Sequence, residues 1–436
     1  MENSLAVYDV SVLMPDMSIS FHQTVEVRED RIVSVRPYKQ EDRKNKYENE
    51  LEGRGKLLMP GLCDCHMHTG QQLLKGKILD ELPMIWTRIM LPFESTLTSE
   101  KMELSAMLAA VEMIKSGTTA FADAGSYFME SAASVYEKTG LRGVLSASTM
   151  DDEKLPASIL HTAEEALEQT ERLYAKFHGK GNLKVAYSLR SLISCSEELI
   201  LKVSERAKEK GALLQAHMNE YPNEITFFLE KKQLRPFAYL EKLGVLDSRF
   251  IGSHSILLSE KEKDILKKYD VKVCHCPFSN CGKGIPDTPA LLQRGISTGL
   301  GTDGAAHGGL SLWNEMKIFR SVMNVGRGVL INEPALMPAK EILKMATKSG
   351  YEVIGEDGGS IEPGKKADFI TINMMQPHLY PTENPVNTLL ECVTAGDVCD
   401  SVVNGKILMR DRKLQTIDEM EVMEKAKEYM ERQEKI

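Results

Sequence analysis

Between residues 59 and 301 the chain alternates eight short apolar runs with longer amphipathic stretches, a pattern that few architectures accept. The runs fall at 59–64, 118–124, 143–148, 183–188, 211–216, 249–253, 271–274 and 296–301. Between them, 99–116, 162–177, 196–210 and 259–268 carry helical periodicity, and each opens on a Ser or Thr suited to cap a helix. Repeated βα units of this kind build a parallel sheet. Eight of them, over a span close to the ~250 residues usual for such a fold plus insertions, predict an α/β (β/α)8 TIM barrel. An open doubly wound sheet is the competing arrangement. Against it, no G-x-G-x-x-G opens the first βα turn and no G-x-x-x-x-G-K-[ST] occurs.

Strands are also predicted at both chain ends. Runs at 5–8, 24–27 and 31–35 are apolar or alternating, whereas 41–49 is charged and reads as a loop. Near the other end, the turn cluster 358–364 hands over to a strand at 367–372, and 400–409 reads as a hairpin with Asn404-Gly405 at its turn. The economical arrangement makes 1–58 and 361–416 two parts of one small β-sandwich domain beside a barrel formed by 59–360. Residues 417–436 form a charged C-terminal helix.

Composition narrows the function classes. Hydrophobic residues at 42% and charged residues at 27% are those of an ordinary globular chain. A net charge of −9 has the wrong sign for a phosphate-tracking surface, so no nucleic-acid partner is expected. No run approaches the ~18 apolar residues of a membrane helix, and residues 1–16 carry neither a basic start nor an apolar signal core. The expected address is the cytoplasm, with no membrane partner. In that compartment the eight cysteines are thiols. A homodimer or higher homo-oligomer is the base expectation.

The chemistry concentrates at strand ends, which in a barrel converge on one pocket. His66-Met67-His68 follows the first run, and in an extended segment residues i and i+2 project to one side, where two imidazoles reach one ion. His217 ends the fifth run, with Glu220 three residues on. His254 ends the sixth, and Asp303 follows the last. Each residue alone is as readily a satisfied core or surface group, and the argument rests on their coincidence. An ion held by neutral His66, His68 and His217 with anionic Asp303 keeps a position for water, whose pKa falls towards ~7 there. Glu220 then takes the water proton and returns it to the substrate, while His254 orients the attacking oxygen and steadies developing charge. No Lys stands at the end of 183–188 to bridge a second ion, so one metal per chain is expected. Zinc, iron and manganese all accept this donor set.

Together the segments Pro60–Gly61–Leu62–Cys63–Asp64–Cys65–His66–Met67–His68, His217–Met218–Asn219–Glu220, Gly252–Ser253–His254, His275–Cys276–Pro277–Phe278–Ser279–Asn280 and Leu300–Gly301–Thr302–Asp303–Gly304 resemble the amidohydrolase superfamily. Within it, they resemble the branch of S-adenosylhomocysteine/methylthioadenosine deaminases, guanine deaminase and triazine chlorohydrolases. The resemblance covers nearly the whole chain. It implies a mononuclear Zn2+ hydrolase with His66, His68, His217 and Asp303 as ligands, Glu220 as proton shuttle and His254 assisting. The implied reaction is hydrolytic deamination of an amino-substituted nitrogen heterocycle: a purine, a pterin, or a related base or nucleoside. The alternative is hydrolysis of a cyclic amide C–N bond or of a chlorotriazine at the same site.

Substrate contacts follow from the resemblance too. Pro92-Phe93-Glu94 matches the segment whose Glu meets a ribose in nucleoside-type relatives. Arg190 stands where those relatives carry a His, closer to the Arg that guanine-type relatives aim at a base carbonyl. His307, in the loop after Asp303, is a third candidate contact. No Arg occurs at 145–149, and His307-Gly308-Gly309 replaces the relatives' Ser-Asn. These departures weigh against an adenosine-type substrate and leave open an oxo-substituted base or another small cyclic amidine. His275 is expected behind the site, and Trp86 or Trp313 on its wall or in the core.

Overall fold

The apolar runs become parallel strands that follow one another in chain order. In the computed structural model, which describes residues 4–81 and 85–433, one five-stranded sheet runs Asp303–Gly304, Leu62–His68, Thr118–Asp123, Arg142–Leu145, Leu183–Val185. A second runs Tyr187–Leu189, Leu214–Met218, Phe250–His254, Lys272–His275, Thr298–Leu300. Every neighbouring pair in both sheets is parallel. The chain crosses between the sheets through Ala186 at one seam and through Gly301-Thr302 at the other, so eight strand positions make one (β/α)8 barrel. At the second seam a Cβ on Gly301 would lie 2.6 Å from the His66 carbonyl oxygen, and only glycine lets the last strand come this close to the first.

The helices form where their caps predict. Ser99–Ser116, Ala163–Phe177, Glu197–Lys210 and Glu260–Tyr269 start after Thr98, Thr162, Ser196 and Ser259, whose hydroxyls accept the backbone N–H three residues on. The first cap is Thr98, one residue before the Ser expected, because Thr98 is the last residue in extended conformation. Gly211 ends its helix in the left-handed region, φ 63°, and for that reason the strand expected to start there starts at Leu214.

The expected run 59–64 proves to be two strands. Lys56–Pro60 pairs antiparallel with Phe369–Asn373 in the terminal domain, and Leu62–His68 opens the barrel. Both halves are buried, so hydrophobicity alone carries no mark where the chain changes partners. The terminal domain is a nine-stranded sheet whose main path is Lys413–Leu414, Lys406–Arg410, Val398–Val403, Phe369–Asn373, Lys56–Pro60, Ser4–Leu13, Ile19–Arg28, Arg31–Pro37. Asn49–Glu52 pairs with Ser4–Leu13 off that path, and Gln40–Lys44, expected as loop, forms a short 3-10 helix. Asn404 and Gly405 both have positive φ, as the hairpin requires. Leu5, Val7, Val25, Phe369 and Val402 share one core cluster, so both chain ends bury each other.

Ion pairs and hydrogen bonds fasten the parts together. Arg142, on a barrel strand, donates to both oxygens of Asp368 at 2.6 and 3.1 Å and to Asn404 Oδ1 at 3.1 Å. The C-terminal helix Glu419–Gln433 packs on Ser99–Ser116, with Lys115 Nζ 2.6 Å from Glu419 Oε1; the expected residues 434–436 lie outside the described residues. All eight cysteines are free. Among the described residues, no helix is long and apolar enough to cross a membrane.

Candidate active site

The barrel brings six of the predicted side chains to one point. The His66 ring centroid lies 5.0 Å from that of His68, 4.7 Å from His217 and 5.0 Å from His254. His68 Nε2 faces His217 Nε2 at 3.2 Å. Asp303 Oδ1 stands 3.4 Å from His68 Nε2 and 3.7 Å from His66 Nε2. The ligand atoms of His66, His68 and His217 all fall within 4.8 Å of one another, and so do those of Glu220, His254 and Asp303. His254 and Asp303 hold φ of 65° and 59°, the left-handed region that turns the chain sharply at each strand end. Such backbone costs of order 1–3 kcal/mol for a residue like His and persists where the surroundings dictate it.

Buried partners hold these groups in place. Asp64, below the site, accepts from Thr302 Oγ1 at 2.6 Å, Thr302 N at 3.1 Å and His66 N at 3.3 Å, and so ties the last strand to the first. Asp303 Oδ2 accepts from Ser279 Oγ at 2.6 Å. With the Asn280 amide turned to satisfy both its atoms, Nδ2 donates to His254 Nδ1 at 3.1 Å and to the Cys276 carbonyl at 3.2 Å. His254 then carries its proton on Nε2, 3.6 Å from Glu220 Oε1. His275 Nδ1 lies 2.7 Å from the His254 carbonyl, behind the site as expected. Glu224 accepts the backbone N–H groups of Asn219 at 3.1 Å and Glu220 at 2.9 Å, which fixes the turn carrying Glu220.

The donor set suits a divalent transition-metal ion. Burial, reinforced by His254, pushes the His66 imidazole down to about 3. Burial likewise holds His68 and His217 well below the ordinary value, with Arg190 adding to it for His68 and His66 for His217. Burial works to raise the Asp303 carboxyl, but His307, His254 and Lys283 outweigh it and hold the group well below the usual range. Three neutral imidazoles and a carboxylate are thus ready to donate lone pairs near neutrality. Both His66 ring nitrogens are fully buried without a hydrogen-bond partner among the described residues. Buried polar atoms are rarely left so, and a cation would satisfy Nε2, the ring nitrogen that faces Asp303.

A pH dependence follows for the metal-free protein. Below ~6.5 the unfolded chain protonates these histidines while the folded chain does not, so their contribution is fully present above that pH and is lost as pH falls. For His66 alone the loss reaches about 2 kcal/mol near pH 5 and grows until its own titration near 3. Burial raises Asp64 and Glu224 to about 8, which adds stability over the same fall in pH. The histidine contribution is therefore read by difference: the unfolding free energy of metal-free wild type should fall by about 2 kcal/mol more between pH ~7.5 and ~5 than that of metal-free His66→Ala. Equal changes in the two proteins would contradict the assignment.

Above these groups lies a cavity. Arg190 and His307 stand on its wall, as do Trp86, Met90, Ile193 and Tyr221. Trp313 instead is core, donating Nε1 to the Ser116 carbonyl at 2.8 Å. Glu94 is 1% exposed and does not line this cavity; its Oε1 accepts from Arg190 Nη2 and Gln71 Nε2, both at 2.8 Å. Arg190 Nη1 also donates to the Gly125 carbonyl at 2.8 Å and stands 2.5 Å from His68 Nδ1. Sequence reasoning missed Gln71, Tyr221, Glu224 and Lys283. Gln71, three residues past His68, had a signal in its spacing. A Cβ on Gly304 would meet its Oε1 at 1.6 Å, so the residue after Asp303 leaves room for it.

A barrel with imidazoles and carboxylates gathered at one mouth defines a class of hydrolases. Residues 57–408 match the amidohydrolase family model, and the chain belongs to that family. It is 35% identical over 388 residues to the 5′-deoxyadenosine deaminase of Methanothermobacter thermautotrophicus, covering 86% of this chain and 87% of the relative. It is 34% identical over 377 residues to the 5-methylthioadenosine/S-adenosylhomocysteine deaminase of Caldanaerobacter subterraneus subsp. tengcongensis, covering 84% of each. Among solved structures, an adenosine deaminase from Xanthomonas campestris with bound zinc shares the fold at TM-score 0.91, 24% identity and 99% of each chain. A guanine deaminase from C. acetobutylicum with bound guanine does so at TM-score 0.85 and 22% identity, over 93% of this chain and all of that one.

Proposed function

We propose that this enzyme is a hydrolytic deaminase of a purine-type or related nitrogen heterocycle. His66, His68, His217 and Asp303 hold one divalent ion, zinc first, and Glu220 and His254 serve the reacting atoms. The observation that carries this is Glu220 and His254 drawn up against Asp303, beside three imidazoles kept neutral by burial. When bound, an ion of this kind acidifies water and so supplies a nucleophile at neutral pH.

The chain's own groups do the rest. Glu220 accepts a proton from the attacking water and gives it to the ring nitrogen next to the amino-bearing carbon. The water oxygen bonds to that carbon; Glu220 then takes the remaining proton of the added hydroxyl and gives it to the amino group, so that the C–N bond breaks and ammonia leaves with a carbonyl in its place. His254, with its proton on Nε2, donates towards the oxygen as charge builds there. Trp86, Met90, Ile193 and Tyr221 give a flat ring apolar walls and keep bulk water from it.

Two substrate groups divide the reading. The relatives' names support adenosine-derived nucleosides. Arg190 on the cavity wall, where Glu94 is not, supports an oxo-substituted base; Glu94 Oε1 accepts from Arg190 and Gln71, and its Oε2 is buried without a partner among the described residues. Ammonia release from 5′-deoxyadenosine, 5′-methylthioadenosine, S-adenosylhomocysteine, guanine and pterin tests both. At least one should be turned over with kcat/KM of about 10⁴ M⁻¹s⁻¹ or more. Chloride from a chlorotriazine, or a ring-opened acid without ammonia, would reject deamination.

A further inference from the structure

One cation in the cavity has no part in the reaction described so far. Lys283 follows the short helix Pro277–Asn280 and reaches the same Glu220 oxygen that His254 faces. Its Nζ donates to Glu220 Oε1 at 2.6 Å and to Ser279 Oγ at 2.6 Å, and lies 3.9 Å from Asp303 Oδ2. The ammonium also sits 5.1 Å from the centre of the Tyr221 ring, and the side chain is only 7% exposed. Burying an ammonium costs several kcal/mol unless charges and acceptors compensate, so a residue needed only to fill this space would be apolar.

The direction of the hydrogen bonds is informative. An ammonium has donors only, so the Ser279 hydroxyl accepts from Lys283 and hands its own proton to Asp303 Oδ2 at 2.6 Å. Lys283 and Ser279 thereby link the predicted proton shuttle to the predicted carboxylate ligand. Glu220 has three rotatable side-chain bonds, and His254 Nε2, at 3.6 Å, is beyond a good hydrogen bond. The short contact that sets the carboxylate's direction is the one to Lys283. The lysine also stands where the inner cavity opens into a larger outer one, both of which it lines with Tyr221 and His307.

We infer that Lys283 is a positioning residue of this active site: it clamps the Glu220 carboxylate against the Asp303 side of the pocket, so that its free oxygen stays directed at the attacking water. The inference rests on the deaminase reading and deepens it. A carboxylate free to swing spends most of its time out of reach of the proton it must take, and a displacement of about 1 Å costs up to about 100-fold in rate.

The test uses the metal-loaded enzyme with Lys283→Met, which keeps length and removes charge, and Lys283→Ala. Lys283→Met should keep its metal and melt within a few degrees of wild type, with kcat on the preferred substrate down about 100-fold and KM changed by no more than about threefold. Ethylamine should restore Lys283→Ala in a saturable way, and alkylamines too bulky for the vacated space should not. A crystal structure of metal-loaded Lys283→Met should have Glu220 turned away from His254. The inference is overturned by a Lys283→Met enzyme with near wild-type kcat, by loss of metal in step with activity, or by Glu220 unmoved in that crystal structure. Should wild type release no ammonia from any ring of the panel, the deaminase reading fails, and the position of Glu220 in the crystal still decides the role of the lysine.

Discussion

Glu220→Gln should keep the metal and the melting temperature of wild type while kcat falls by about 10³–10⁴-fold, the upper range for removing a general acid–base group. The carboxamide has the shape of the carboxylate and still offers an oxygen to the Lys283 ammonium, so neither packing nor the 2.6 Å contact need change. It cannot take up a proton. A loss confined to kcat, with KM little altered, marks an interaction made only as the reaction proceeds. Metal content, melting curve and ammonia release on one sample decide the matter. Wild-type turnover in this variant would remove Glu220 from the chemistry, and parallel loss of metal would make it a ligand instead.

The second large effect concerns His66→Ala. His66 is fully buried, and its rings of neighbours, His68, His217 and His254, all lie within about 5 Å, so it stands at the centre of the donor set. Removing one of three imidazoles should take the metal from one ion per chain to a small fraction, and activity with it. Chelation of wild type should have the same result, reversed by adding zinc back. Stability should respond too: an ion present at 1,000 times its dissociation constant adds about 4 kcal/mol to the folded state. The metal-free enzyme should therefore melt well below the loaded one. A chelated enzyme with full activity and an unchanged melt would end the metal assignment.

How much of this was legible beforehand depended on whether the signal was local. The helix caps at Thr162, Ser196 and Ser259 and the Asn404-Gly405 turn were readable because each is set within three or four residues. The split at Pro60 and Gly61 was not, because a strand's partner is chosen by residues 300 positions away, Asp368 and Phe369 among them. Arg190, named from the resemblance, and His307, named from its loop after Asp303, both stand on the cavity wall. Glu94 does not, because an ion pair with Arg190, 96 residues on, turns its carboxylate inward.

The sequence by itself determined the alternation of strand and helix, the joining of both chain ends and the presence of His66, His68, His217, Glu220, His254 and Asp303 at strand ends. Periodicity, capping and spacing are short-range properties and survive in a linear string. Only the tertiary structure decided that Lys283 meets Glu220, 63 residues earlier, that Ser279 bridges to Asp303, and that Glu94 faces Arg190 rather than the cavity. These are contacts between side chains that barrel closure brings together, and no local pattern encodes which charge will find which.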